Sequence, residues 1–385
     1  MAYAILCLQE WKPFRRICRI KPVMCAMTGG IMVKRIAKAI LIVVAVALLA
    51  LVAFIVVIAA TDYRPCDIEP VEVENRREWV TESGAELSVT TFNIGYCGLD
   101  KHTDFFMDKG TMSRSISREQ TEINVDRVSQ FLQEADSDFY LVQEVDRKGK
   151  RSYNIDQYKR FIRDLPEYSS SFATNYKVAW VPIPVTHQYG NIYSGIATYS
   201  TRRVDSAERF SLPGQYPWLK QLFMLDRCLL ESRLPVDNGK ELVLVNLHLS
   251  AYDQGGTIRA QQLAFVKEYA VREWGKGNYV ILGGDWNHLL SATPKEKKAS
   301  YGDAWPDWLQ LLPDDFVLEG FEWAMDEEVA SNRCVDRPYN PATTVVQTID
   351  GFLVSPNVEI VAVQGIDLGF ENSDHNPVTA VFKLK

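Results

Sequence analysis

Ser373-Asp374-His375-Asn376-Pro377-Val378 (SDHNPV) runs straight into Thr379-Ala380-Val381-Phe382. An acid and an imidazole thus stand just ahead of an apolar strand, where the backbone is held rigidly while the side chains still reach a cleft. The arrangement recurs along the chain. Asn93 ends SVTTFN, Glu144 ends FYLVQE, His248 ends LVLVNLH, Asp285 and Asn287 follow VILGG, and Asp350 opens IDGFLVS. One strand-end carboxylate is usually a solvated turn residue. A repeated set that mixes carboxylates, amides and two of the five histidines is hard to obtain from surface residues alone.

The residue types also fit together chemically. Glu144 and Asp374 are hard oxygen ligands suited to Mg²⁺, with Mn²⁺ or Ca²⁺ as alternatives, and Asn93 adds an amide oxygen or orients a bound water. Neither the cysteines nor the histidines fall at zinc spacings. Phosphoryl transfer needs positioning and charge neutralisation more than covalent chemistry, which a cation and an imidazolium supply.

Composition suits a folded α/β protein with an anchor: 47% of residues are hydrophobic and 24% charged. The net charge of −7 hides an asymmetry, because residues 61–385 hold 34 basic against 48 acidic side chains. So acidic a domain disfavours tight nonspecific binding to a polyanion. From Ala39 to Ala60 run 22 apolar residues without Gly, Pro or charge, enough for a helix of roughly 33 Å. Lys34, Arg35 and Lys38 precede the run, and Asp62, Asp67, Glu69, Glu72 and Glu74 follow it. The expected organisation is a basic cytoplasmic segment at 1–38, a single-pass signal anchor at 39–60, a charged linker at 61–84 and an exported catalytic domain at 85–385. A cleaved signal peptide is the rival reading of the apolar run. Met32 opens a natural start, so residues 1–31 read as an extension. Cys66, Cys97, Cys228 and Cys334 read as buried or free thiols, with one disulfide as the alternative in an extracytoplasmic domain.

Within the exported part, strands are expected at Leu87 to Ile94, Phe139 to Val142, Ser194 to Ser200, Arg227 to Arg233, Glu241 to His248, Tyr279 to Leu282, Thr348 to Val354 and Pro377 to Phe382. Helices are expected at Ser117 to Ala135, with Val125, Val128, Leu132 and Ala135 on one face, and at Thr257 to Trp274, with Leu263, Val266, Ala270 and Trp274. Many strands with few helices between them imply an α/β fold with two packed sheets and helices outside. Residues 177–193 and 285–347 read as long loops.

The ordered set TFN (91–93), QE (143–144), NLH (246–248), GGDWN (283–287), IDGFLVS (349–355) and SDHNPV (373–378) resembles the endonuclease/exonuclease/phosphatase superfamily over essentially all of 87–385. That family includes deoxyribonuclease I-like nucleases, neutral sphingomyelinases and inositol polyphosphate 5-phosphatases. The resemblance implies a four-layer α/β sandwich with two central, mostly antiparallel sheets and the site at one edge of them. It also implies roles: Asn93, Glu144 and Asp374 at the metal, and Asp285 on the attacking water. Asn287 would hold a phosphate oxygen, and His375, oriented by Asp350, would serve the phosphoryl group. His248 would assist as in the nuclease and sphingomyelinase branches. Arg227, opening a strand in LDRCLL, matches a phosphate-binding arginine of some relatives. After Asn93 the chain reads Ile-Gly-Tyr-Cys and so lacks the second acid of the apurinic-site nucleases. Expected partners are a phosphoester, whether lipid headgroup, small phosphodiester or DNA, and the membrane; no protein partner is inferred. An extracellular DNA nuclease and a noncatalytic surface-binding module are the competing functions.

Overall fold

The computed structural model describes residues 25–253 and 255–385, with side chains from Met32 onward. The expectation for residues 1–31 lies almost wholly outside them. The chain divides into two compact units, residues 1–57 and 58–385. The described part of the first is one helix, Cys25–Ala60, whose last residues count with the second unit. Its stretch Met32–Ala60 is long and apolar enough to cross a membrane.

The second unit is built on two seven-stranded sheets. One runs, edge to edge, Ile68–Val71, Ser206–Ser211, Cys228–Pro235, Glu241–His248, Tyr279–Asp285, Asp350–Val354 and Glu322–Ala324. The other runs Val358–Gly365, Val378–Leu384, Glu86–Asn93, Phe139–Gly149, Gly190–Ser200, Ser169–Val181 and Val73–Glu74. Each is antiparallel except for one pair: Glu241–His248 beside Tyr279–Asp285, and Glu86–Asn93 beside Phe139–Gly149. Ligands of mixed sheets gather beyond the carboxyl ends of parallel strands. Asn93, Glu144, His248 and Asp285 stand at or near those ends.

The sheets face each other through Val89, Leu141 and Phe382 on one side and Leu244, Ile281 and Phe352 on the other, with the Phe352 and Phe382 rings edge to face at 5.4 Å. Each such side chain contributes roughly 1.5–3 kcal/mol by leaving water. Outside one sheet lies the helix Thr257–Gly275, which buries Leu263, Val266 and Ala270 on Val245, Val280 and Leu282. Outside the other, Arg118–Ala135 and Gln157–Asp164 bury Val125, Val128, Leu132 and Phe161 on Phe92, Tyr140 and Val142. The result is the expected helix–sheet–sheet–helix sandwich. Ser117 caps its helix by accepting from the Gln120 backbone N–H, worth about 1 kcal/mol.

Several expectations are corrected. The stretch 61–84 is not wholly a linker, because Ile68–Val71 and Val73–Glu74 pair at the edges of the two sheets. Edge pairing needs backbone groups and little apolar pattern. Residues 177–193 are not one loop: a strand continues to Val181 and the next begins at Gly190. Its start, Ser169–Ser171, hides from hydropathy because these serines are buried through hydrogen bonds, Ser169 Oγ to Ser200 O and Tyr158 Oη to Ser170 Oγ. Within 285–347 lie the helix Pro294–Tyr301 and the strand Glu322–Ala324. The strand from Phe139 runs on to Gly149, past Glu144, and Arg147 covers the rings of Tyr158, Phe172 and Tyr193 at 5.3 to 5.6 Å. Trp274 is 37% exposed and meets Phe321 instead of the sheet.

Candidate active site

The two sheets are bolted together beneath the site. Gln143 Nε2 donates to Asn246 Oδ1 at 2.8 Å, and Asn246 Nδ2 donates to Ala197 O at 2.9 Å. Both side chains are buried, so breaking the pair leaves desolvated amides. Glu144 follows Gln143 at φ +57°, where the pairing with Gly190–Ser200 skips from Val142 to Val145. The bulge re-aims Glu144 from the sheet face into a cavity. Gly284, at φ +147°, lets the parallel strands close up, since a Cβ there would stand 2.0 Å from Leu247 O.

Asn93, Glu144, Arg227, His248, Asp285, Asn287, Asp374 and His375 all line that one cavity, of about 420 Å³. Asp350 lies behind His375 and accepts from its Nδ1 at 2.8 Å. Asp350 is itself fixed by the Ser331 hydroxyl at 2.7 Å, which fixes the ring's orientation. His375 Nε2 is 2.9 Å from the Asn332 amide and 3.9 Å from Asp285 Oδ2. Burial opposes charge on this ring, yet Asp350, with Asp374 and Asp285 nearby, raises its pKa to about 10.

Asp285 gathers donors. Its Oδ2 accepts from Asn93 Nδ2 at 3.0 Å and lies 3.3 Å from His248 Nε2; its Oδ1 accepts from the Asn287 N–H at 2.9 Å. Burial, reinforced by Asp350, pushes this carboxyl well above the ordinary range. His248 is driven the other way, below its usual value, by burial and then by Arg227, so it is neutral. Among the described residues Arg227 makes a single long contact, Nη1 to His248 O at 3.5 Å. Asn287 Nδ2 is partly committed, donating to Leu249 O at 2.8 Å. His288 points away, with Nδ1 2.7 Å from Trp286 O.

Asp374 is pushed up to about 6 by burial, with Glu144 adding to the rise. Two hard carboxylates close enough for Glu144 to raise the cost of charge on Asp374, with Asn93 alongside, form a donor set that fits a divalent cation. Gly95 makes room for them: a Cβ would stand 2.5 Å from Asp374 Oδ1. The described residues also bring one ligand atom each of Asp285, Asp350 and His375 within 4.8 Å of one another. There the His375 ring nitrogen facing Asp350 is already hydrogen-bonded, so that trio fits a cation less well than the Glu144 and Asp374 carboxylates do.

Sequence reading missed Asn332, Ser331 and Arg151. The first two sit in a stretch taken as loop, without a strand-end signature. Arg151 lies in the charged run Asp146 to Arg151 that resembles a solvated surface, yet it is 4% exposed. It is held by Asp146 at 2.8 Å, stacked 4.0 Å from the centre of the Tyr96 ring, and lies 3.9 Å from Glu144.

A family model described as endonuclease/exonuclease/phosphatase family matches residues 90–375. Among solved structures, a protein of that description from Beutenbergia cavernae DSM 12333 is similar at 18% identity and a TM-score of 0.52, over 78% of this chain and 72% of that one. Another from Bacteroides vulgatus is similar at 18% identity and a TM-score of 0.50, over 78% and 100%. At such identities the likeness shows the fold. No curated protein sequence matches the chain.

Proposed function

This chain belongs to the endonuclease/exonuclease/phosphatase family, whose members hydrolyse phosphoester bonds, and from that premise we propose that it is a metal-dependent phosphodiesterase acting on a lipid or small phosphodiester outside the cytoplasm. The observation that carries the reading is the meeting of strand ends from both sheets around one cavity, with the Asp350–His375 pair at its edge.

A divalent cation, Mg²⁺ first, held by Glu144 and Asp374 with Asn93 beside them, would supply positive charge against the phosphoryl group. Asp285, with its raised pKa, accepts a proton from the attacking water as the new O–P bond forms. In the structure Nε2 faces the Asn332 amide nitrogen, a donor; once the substrate displaces that amide, protonated His375 donates from Nε2 to a phosphoryl oxygen or to the leaving oxygen as the ester P–O bond breaks. The proton gained by Asp285 balances the one His375 gives up. Arg227 and Asn287 hold the remaining phosphoryl oxygens, and neutral His248 orients Asp285. The apolar helix serves as the anchor.

Two features favour a lipid or small ester over DNA: the acidity of residues 61–385 and the apolar side of the cavity. The test sets headgroup release from phospholipid vesicles with Mg²⁺ beside plasmid nicking, using one preparation and a His375→Ala control. Headgroup release alone supports the proposal; nicking alone replaces it with a nuclease. Hydrolysis of neither leaves a phosphomonoesterase, and absence of hydrolysis across a broad phosphoester panel, with metal still bound at Glu144, leaves the noncatalytic binding module.

A further inference from the structure

The phosphoryl chemistry uses only one side of the cavity. The rest is mainly apolar, formed by Phe105, Phe106, Val181, Tyr189 and Leu225 among others, with Asp108, Arg151, Lys220 and Arg333 also on its lining, and the volume of about 420 Å³ lies in the range of small-molecule sites. Two polar atoms are stranded on this side. Asn175 Nδ2 and Tyr96 Oη are buried, belong to residues that line the cavity and have no hydrogen-bond partner among the described residues. Asn175 and Tyr96 are 2% and 1% exposed. A buried donor without a partner carries a desolvation cost that is removed when a ligand supplies the acceptor.

Backbone geometry sets both groups in place. Gly95, Tyr96 and Cys97 have φ of +49°, +43° and +50°, a left-handed turn that follows Asn93 almost directly. Such strain persists where the surroundings enforce it, and it gathers at ligand sites. Asn175 is a bulged residue: the pairing of Ser169–Val181 with Gly190–Ser200 skips from Thr174 to Tyr176. The bulge that turns Glu144 lies on the other side of that same strand. Val145 and Thr174 both pair with Gly195, so the two bulges flank one residue from opposite sides. Strands lie about 4.8 Å apart, which puts the backbones at Glu144 and Asn175 about 10 Å from each other.

We propose that this side is a subsite for the esterifying group of the substrate: an apolar alkyl or aryl alcohol bearing a hydrogen-bond acceptor oxygen a few bonds from phosphorus. The ester group crosses the Gly190–Ser200 strand from the phosphoryl position, its acceptor receives the Asn175 amide, and its apolar part displaces water from the Phe105–Phe106–Val181 side. The assignment rests on the phosphodiesterase reading for the position of the phosphoryl end.

Binding tests it without turnover. The full chain in nanodiscs, with empty nanodiscs subtracted, is titrated calorimetrically with inorganic phosphate and with methyl, butyl, hexyl, phenyl and 2-butoxyethyl phosphate. Affinity is expected to rise about 3- to 4-fold per methylene from methyl to hexyl. 2-Butoxyethyl phosphate is expected to bind more tightly than its chain length alone gives, and Asn175→Leu to remove that excess while keeping the chain-length slope. Phe106→Ala is expected to flatten the slope. Preference between phenyl and hexyl identifies an aryl or an alkyl source. A flat series on the unmodified protein, with inorganic phosphate bound, overturns the subsite and leaves the phosphodiesterase reading intact. Failure of phosphate itself to bind, with the alkyl slope retained, would count against the phosphodiesterase reading instead. The unmodified series decides the question even where a variant does not fold.

Discussion

The two sides of the cavity are built differently. One is made of strand ends and their bulges, with several ionisable groups tied into polar contacts: Asp285 has three donors around it and His375 is held between Asp350 and Asn332, while His248 Nδ1 and Asp350 Oδ1 have no partner among the described residues. The other is made largely of connecting segments and aromatic rings, and among the described residues two of its buried polar atoms, Asn175 Nδ2 and Tyr96 Oη, have no partner. The first side is organised before anything binds and suits charge and proton transfer. The second is organised for shape and is completed by a ligand. On the proposed reading, substitutions on the first side destroy turnover and those on the second redistribute specificity.

The largest effect should come from the charged side. His375→Ala is expected to lower kcat by about 10²–10⁴-fold, and Asp285→Asn by a similar factor, in a Mg²⁺-supported diesterase assay. Losses under tenfold would mean that the strand-end side does not carry the chemistry. Removal of the cation by EDTA is expected to abolish turnover and Mg²⁺ to restore it; activity that survives chelation would break the reading at Glu144 and Asp374.

Next comes stability in metal-free protein. The Asp374 pKa is raised on folding, so its charged form is disfavoured in the folded state. The penalty is absent below the unfolded value near 3.9, grows as pH rises, and is complete above about 6. Asp374→Asn should therefore stabilise the EDTA-treated protein at pH 8 by on the order of 2 to 3 kcal/mol and do little at pH 4. Equal Tm shifts at both pH values would show that Asp374 is not strained by its own charge. The smallest effect is expected on the apolar side: Phe106→Ala should change kcat for a methyl ester by under about threefold while costing about tenfold or more in kcat/KM for a hexyl ester. Equal losses for both esters would erase the distinction between the two sides.

That distinction also governs what could be read from the sequence. Strand ends carry a pattern, an apolar run followed by a polar residue, so Asn93, Glu144, His248, Asp285 and His375 stood out one motif at a time, and the ordered set carried the fold. Glu241–His248 is delimited to the residue because a continuous apolar run, Leu242 to Val245, lies between polar Glu241 and His248. The bulged residue Asn175 had no such signal, because its strand buries serines and opens within a stretch without apolar alternation. Tyr96 was noticed only as a departure from a family pattern; its left-handed backbone has no sequence signature apart from the neighbouring glycine. Arg151 was hidden among surface-like charges, and its burial depends on Asp146 and three tyrosine rings brought together by the fold. Asn332 and Ser331 act through His375 and Asp350, partners 43 and 19 residues away, which no local window reaches.

The central claim is that strand ends from both sheets meet on one phosphoryl group. A crystal of the protein soaked with Mg²⁺ and phosphate tests it most directly. The account predicts a cation against Glu144 and Asp374, with a phosphate oxygen at His375 Nε2 in place of the Asn332 amide. A cation held instead by Asp285, Asp350 and His375, or phosphate bound away from His375, would contradict it.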